Sequence, residues 1–253
     1  MTGNINLELI SNYLDKQCIV IFDKWDLLNY LKFEHIDQLK NVKENKNICL
    51  ILDTGNFDIN GAFECIEFCK EKNIKYDAII LNKLASAGTL LALNSEQLIF
   101  TKQGALGTID PTHPQHNFPK FISVAEKYRY LRRINIDEIN SYTAFVEKAL
   151  QGDKKLIDEV LDPLTKNLTP DLLKRANEHL LVLKNKIKEI LINHHPQCDP
   201  DKLSDFLITG AGSFDYTIHP TELKKLQLNF KLCPQDLETI LNQLFLDLHF
   251  KEK

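Results

Sequence analysis

The residues best placed to do chemistry lie between Tyr76 and Pro111, in the run YDAIILNKLASAGTLLALNSEQLIFTKQGALGTIDP. Ser86 stands there among small neighbours, Ala85, Ala87, Gly88 and Thr89. It separates an apolar, strand-like run at 78–81 from a helical pattern that begins Leu90-Leu91-Ala92-Leu93. A serine at a strand-to-helix turn has the setting a nucleophile needs. Unpaired backbone N–H groups and the positive end of the helix dipole can stabilise negative charge as it develops. Small neighbours let a substrate carbonyl approach the backbone. Serine is also favoured as an ordinary helix N-cap, so the local pattern leaves both roles open.

The elements around this turn must position it. A continuous apolar, β-branched run at 18–22 predicts a strand, and 48–53, Ile-Cys-Leu-Ile-Leu-Asp, predicts the clearest buried one. The latter ends at Thr54-Gly55-Asn56, residues that tolerate positive φ. Helical periodicity follows at 59–72, where Ile59, Ala62, Phe63, Ile66 and Cys69 share a face. Then come the strand at 78–81, a helix over 87–94, a strand at 97–100 and another ending in Leu106-Gly107-Thr108-Ile109-Asp110-Pro111. Apolar strands alternating with helices imply a largely parallel sheet covered on both sides. Ligands in such α/β sheets bind beyond the C-terminal ends of strands. Two such ends, 54–56 and 84–86, belong to adjacent units, so one site can draw on both.

The first helix or arm covers 5–16, and a helical period starts at Asp26 and fades by Leu39. A loop with two histidines spans 112–119. A long helical region, 120–193, is broken near Gly152 and at Thr169-Pro170, a cap followed by a first-turn proline. A short helix at 201–208, an extended piece at 214–218 and a helix start at His219-Pro220 follow. The last helix, 234–248, carries an apolar stripe of Leu237, Ile240, Leu241, Leu244 and Phe245. The expected organisation is a single domain over 1–253, with a core of about 18–119 and a mainly helical portion of about 120–253.

Composition sets bounds on partners. The chain has 253 residues and a net charge of −4, with both signs mixed throughout. No basic stripe argues for nucleic acid or an anionic membrane surface. No uninterrupted apolar stretch is long enough to span a bilayer. The opening MTGNINLELISNYLDK lacks the layout of a signal peptide, so the expected location is cytoplasmic. Of six cysteines, Cys65 and Cys69 share a helix face, but no further Cys or His stands nearby at metal-ligand spacing. They read as structural thiols of a reducing compartment, and no metal or cofactor is expected.

Several blocks together resemble the serine dehydrogenase proteinase family of the Clp protease/crotonase superfamily. They are LILDTGNFD at 50–58, LASAGTLLAL at 84–93, ALGTIDP at 105–111 and, more loosely, GSFDYTIHPTELKKLQL at 212–228. LDPLTKNLTPDLLKRANEHL at 161–180 also looks like that family's intervening helical region. The resemblance implies an α/β fold of stacked β-β-α turns forming a superhelix, with a helical C-terminal portion. It implies a nucleophile at the start of a helix, matched by Ser86, and an oxyanion hole of two backbone amides. Ala87 would supply one. The other would come from the turn at Gly55-Asn56, where the family commonly has a second glycine. Asparagine tolerates positive φ, so the Asn56 amide can still point inward.

The proton acceptor is less defined. Clp proteases place a histidine on the strand after the nucleophile helix, whereas Gly107-Thr108-Ile109-Asp110 here offers Asp110. Relatives with a serine–lysine dyad carry the lysine on a later helix, a position that Lys127 matches. A buried lysine has a depressed pKa and can act as base, but most helix lysines are solvated. His113 and His116 are loop alternatives, and Asp110 is equally well explained as a carboxylate capping backbone N–H groups. Phe214 replaces a histidine that the family often has. The reading expected from the resemblance is a cytoplasmic serine peptidase, acting on peptides or proteins as a homo-oligomer. The alternative is a catalytically impaired scaffold of the same fold. A third, an acyl-CoA enzyme, lacks a basic cluster for the nucleotide.

Overall fold

Every residue of the strand Ile48–Asp53 is buried, as its unbroken apolar run requires of a strand covered on both faces. The computed structural model describes residues 2–22, 39, 42, 47–54, 59–109, 170–210 and 216–250. The chain divides into two compact units: Met1–Asp110 with Lys186–Lys253, and Pro111–Asn185. The described part of the second is 170–185, a stretch of helix. The expected helix over 26–39 and the helical region over 120–169 lie outside the described residues, but for Leu39.

The elements run α1 (Thr2–Leu14), β1 (Gln17–Phe22), β2 (Ile48–Asp53), α2 (Ile59–Glu71), β3 (Tyr76–Ile80), α3 (Ala87–Leu93), β4 (Gln97–Phe100) and β5 (Leu106–Gly107). Then come α4 (Pro170–His194), α5 (Pro200–Asp205), a π-helical turn at Phe206–Gly210, β6 (Thr217–Ile218), α6 (Pro220–Lys225), β7 (Lys231–Leu232) and α7 (Gln235–Phe250). The main sheet has the order β1-β2-β3-β4-β7, and every pairing in it is parallel. A second, two-stranded sheet pairs β5 with β6 antiparallel, Leu106 opposite Ile218. The architecture is therefore mixed α/β, with a parallel sheet and helices, as the alternation of apolar strands and helices implies. The edge strand β7 has no counterpart in the sequence reading. Its two residues are exposed and carry no apolar pattern. Pairing with β4, and the Cys233 N–H donating to the Phe100 carbonyl at 2.7 Å, define it.

Strand alternation sorts the core into two layers. Cys18, Cys49, Ile51, Ile79 and Leu81 face one way, against Ile10 of α1 and Leu237, Leu241 and Leu244 of α7. Ile240 and Phe245 pack at the margin of the same cluster. The stripe on the last helix is thus consumed inside the chain. The other layer holds α3, which packs on β2, β3 and α2. All seven residues of α3 are buried, so its end groups need protein partners. They have them: Tyr76 Oη donates to the Leu91 carbonyl at 2.8 Å and Ser95 Oγ to Ala92 at 2.7 Å. The Leu93 carbonyl accepts from His195 Nε2 at 2.9 Å.

That last bond fixes a tautomer. With Nε2 donating to Leu93, the His195 Nδ1 lone pair is left buried, with no partner among the described residues. The ring is 4 % exposed, and burial holds its pKa below the ordinary value, opposed by the Leu93 carbonyl. His194 is shifted the same way, again chiefly by burial. The unfolded imidazoles protonate near pH ~6.5, while the folded ones resist. Below that pH the unfolded state binds more protons, so stability falls as pH drops and is unaffected above it. We expect urea titrations to show lower stability at pH 5.5 than at 7.5. His195→Gln, which keeps a donor for Leu93 but does not titrate, should shrink that difference by up to ~1.4 kcal/mol per pH unit.

Candidate active site

The Ser86 turn hangs from two segments distant in the chain. Its three backbone N–H groups donate outward: Leu84 to the Ala105 carbonyl (2.9 Å), Ala85 to Thr54 (3.2 Å) and Ser86 to Thr108 (2.9 Å). Lys83 also bridges to Ala105 in parallel fashion. The end of β2 and the 105–108 segment therefore meet at one turn.

Glycine makes that approach possible at two places. A Cβ on Gly107 would lie 2.4 Å from the Leu84 carbonyl oxygen and 3.1 Å from Ala85 Cα. A Cβ on Gly88 would lie 2.8 Å from Thr54 Cγ2 and 3.2 Å from the Thr54 carbonyl oxygen. Thr89 completes the clasp, its hydroxyl donating to the Gly107 carbonyl at 2.9 Å. The SAGT and LGTI blocks thus meet through two hydrogen bonds, Ser86 to Thr108 and Thr89 to Gly107.

Ser86 itself has φ 47° and ψ −108°. Among the described residues four non-glycines have positive φ: Asp15, Asn73, Ser86 and Gln227. Asp15, Asn73 and Gln227 follow the ends of α1, α2 and α6, where left-handed backbone commonly terminates a helix. Ser86 alone stands at a helix start. An N-cap serine has extended backbone and its oxygen accepts from the first turn. Ser86 has neither, because its backbone is strained and its side chain makes no capping bond. The ordinary-cap explanation therefore fails. The residue is 7 % exposed. The Ala87 N–H finds no acceptor among the described residues.

Of the other expected site residues, Gly55, Asn56, Asp110, His113 and Lys127 lie outside the described residues, as do His116 and Phe214. Thr54, immediately before Gly55, is 1 % exposed, and its buried Oγ1 has no hydrogen-bond partner among the described residues. His219 stands just before Pro220 at the start of α6, its N–H donating to Glu222 Oε2 at 3.2 Å. It acts there as a helix-start residue.

One ionisable pair beside the site was not read from the sequence. His249, in the last turn of α7, places Nε2 2.7 Å from Asp53 Oδ2 at the end of β2. Burial pushes the Asp53 carboxyl up, and the hydrogen bond and charge of His249 pull it back. A carboxylate closing a buried apolar strand signals the need for a partner, but nothing local points to position 249. Alternation puts Asp53 on the layer with Cys49 and Ile51, whereas Thr54 faces α3. The pair and Ser86 thus lie on opposite faces of the sheet. Among the described residues, no three His, Cys, Asp or Glu side chains gather as metal ligands.

No family model matches the chain. It is similar to an uncharacterised protein of Methanocaldococcus jannaschii, 22 % identical over 209 residues, covering 82 % of this chain and 62 % of that protein. The chain thus spans less than two thirds of that relative's length. Among solved structures it resembles a membrane-bound stomatin-specific protease, as a serine-to-alanine variant. The TM-score is 0.43 and the identity 13 %, over 85 % of this chain and 78 % of that one. The lysine-to-alanine variant of a protease of the same description, in complex with a substrate peptide, gives TM-score 0.48 and 14 % identity over 88 % and 76 %. A peptidase from Plasmodium falciparum gives 0.32 and 13 % over 61 % and 87 %. Among the described residues no helix is long and apolar enough to cross a membrane.

The strained turn has a measurable signature. Ser86→Gly should raise stability by about 1 kcal/mol, because glycine accepts positive φ without strain. Ser86→Ala should change it by less than about 0.5 kcal/mol, where loss of a true cap would cost about 1 kcal/mol. In contrast, Gly107→Ala should cost about 3 kcal/mol, since its Cβ meets fixed backbone. Chemical denaturation of the three variants reads all of this.

Proposed function

We propose that the protein is a serine peptidase of the Clp/crotonase type, acting by acyl transfer through Ser86. The observation that carries this reading is the serine's backbone, φ 47° and ψ −108°, with a side chain that does no capping work. Strain of this kind persists where the surroundings over-determine it, and it gathers at functional sites. Nucleophilic serines of other hydrolase folds sit on such strand-to-helix turns.

In this reading Ser86 Oγ attacks the carbonyl carbon of a peptide bond, and its proton passes to a general base. The oxygen that becomes negative is held by the N–H groups of Ala87 and Asn56, with Gly55 giving the turn its freedom. Each such donor is worth about 3 kcal/mol in the transition state. The base then returns the proton to the leaving amine, and water hydrolyses the acyl-enzyme by the reverse sequence. Lys127 is the base favoured by position in the sequence, with His113 and Asp110 as the alternatives. The reading needs no cofactor. It places the protein in the cytoplasm as a homo-oligomer acting on peptide or protein.

A second reading is a catalytically silent scaffold of the same fold. Asn56 in place of a glycine and Phe214 in place of a histidine favour it.

A fluorophosphonate probe separates the two. The peptidase reading expects one probe adduct on the intact protein, mapped to Ser86, and none on Ser86→Ala. Lys127→Ala should slow labelling about a hundredfold or more if Lys127 is the base. A folded wild type that takes up no probe overturns the peptidase reading and leaves the scaffold.

A further inference from the structure

The carboxyl edge of the sheet is fastened to α7 at two points. Glu238, near the start of α7 and 3 % exposed, accepts the Lys102 N–H at 2.7 Å. Its other oxygen lies 3.7 Å from Lys102 Nζ. At the far end of the helix His249 meets Asp53 at 2.7 Å. The two anchored residues begin the two segments from which the serine turn hangs. Lys102 opens the run to Ala105 and Thr108, whose carbonyls take the N–H groups of Leu84 and Ser86. Asp53 precedes Thr54, whose carbonyl takes the N–H of Ala85 and whose methyl fills the space against Gly88.

Charge gives the second anchor its weight. Asp53 is 6 % exposed. A buried carboxylate is held in place by its hydrogen-bond partner, and removing that partner leaves an uncompensated group. The His249 ring is itself packed, 4.2 Å from the Phe245 ring between centroids. The ring therefore holds the strand end from a helix whose own position the core fixes.

We propose that His249 is a positioning residue for the Ser86 site. Through Asp53 it sets the place of the turn at 54, and through Thr54 the geometry of the serine turn. The inference deepens the peptidase reading and rests on it for its catalytic consequence. Among the described residues His249 meets Asp53 and not Ser86. Its effect passes along one strand residue and one backbone hydrogen bond.

The test compares His249→Phe with His249→Gln, which retains a donor, by two readouts. Hydrogen exchange reports the amides of 83–88, and probe labelling reports Ser86. His249→Phe should speed exchange at Ala85 and slow labelling, each by about tenfold. His249→Gln should restore both to within about threefold of wild type, a rescue that loss of ring packing alone would not give. If His249→Phe does not fold, the pair Asp53→Asn with His249→Phe removes the unpaired charge while still cutting the anchor. The same two changes are then expected. Exchange at 83–88 that is unchanged in the folded variant overturns the inference. Failure of the wild type to label strikes the peptidase reading alone, and exchange then decides the positioning role.

Discussion

Three backbone hydrogen bonds to two different segments hold residues 84–86, and the rest of the site depends on that suspension. A serine at φ 47° is not a conformation the chain adopts locally. It survives because the N–H groups of Leu84, Ala85 and Ser86 itself are committed to Thr54 and to the 105–108 run. Releasing the turn to a relaxed geometry would break bonds in a buried place, where an unpaired amide is expensive. The strain is thus offset by groups that would otherwise be orphaned.

The parallel sheet explains why such a suspension is available. Parallel strands point their carboxyl ends the same way, so the chain leaves β2 and β4 on one edge and turns there. Helix α3 starts at that edge and is buried from end to end. Its last carbonyls are met by Tyr76, Ser95 and His195. A helix so fully fixed at its C-terminal end cannot shift to relieve its N-terminal turn. The glycines at 88 and 107 have the complementary role, since a side chain at 88 would push α3 away from Thr54 and one at 107 would push β5 away from the Leu84-Ala85 backbone.

The opposite face of the sheet serves the same edge. Helix α7 lies against Cys49, Ile51 and Ile79 through its apolar stripe and reaches the sheet edge through Glu238 and His249. An apolar stripe on a terminal helix suits an interface between copies of a chain, but here the intramolecular core uses it. The large apolar residues of that helix left exposed are Leu246 and Phe250, and they stand outside the cluster.

The sequence alone determined the strands and helices around Ser86 and the small-residue turn that joins β3 to α3. The run ICLILD reads as a buried strand because it is short, apolar and closed by turn residues, and the small residues of SAGT and LGTI mark close backbone approach; both signals are local. It also offered two roles for Ser86, because a cap and a nucleophile share one composition. Tertiary structure removed the cap, since the backbone angle at 86 depends on bonds to residues 54 and 108 that no local pattern encodes. It also created the two-residue strand at Lys231–Leu232, which exists only through its neighbour β4. Likewise, an aspartate closing a buried strand shows that a partner must exist, but 196 positions separate Asp53 from His249. Only the packing of α7 on the sheet could choose that histidine.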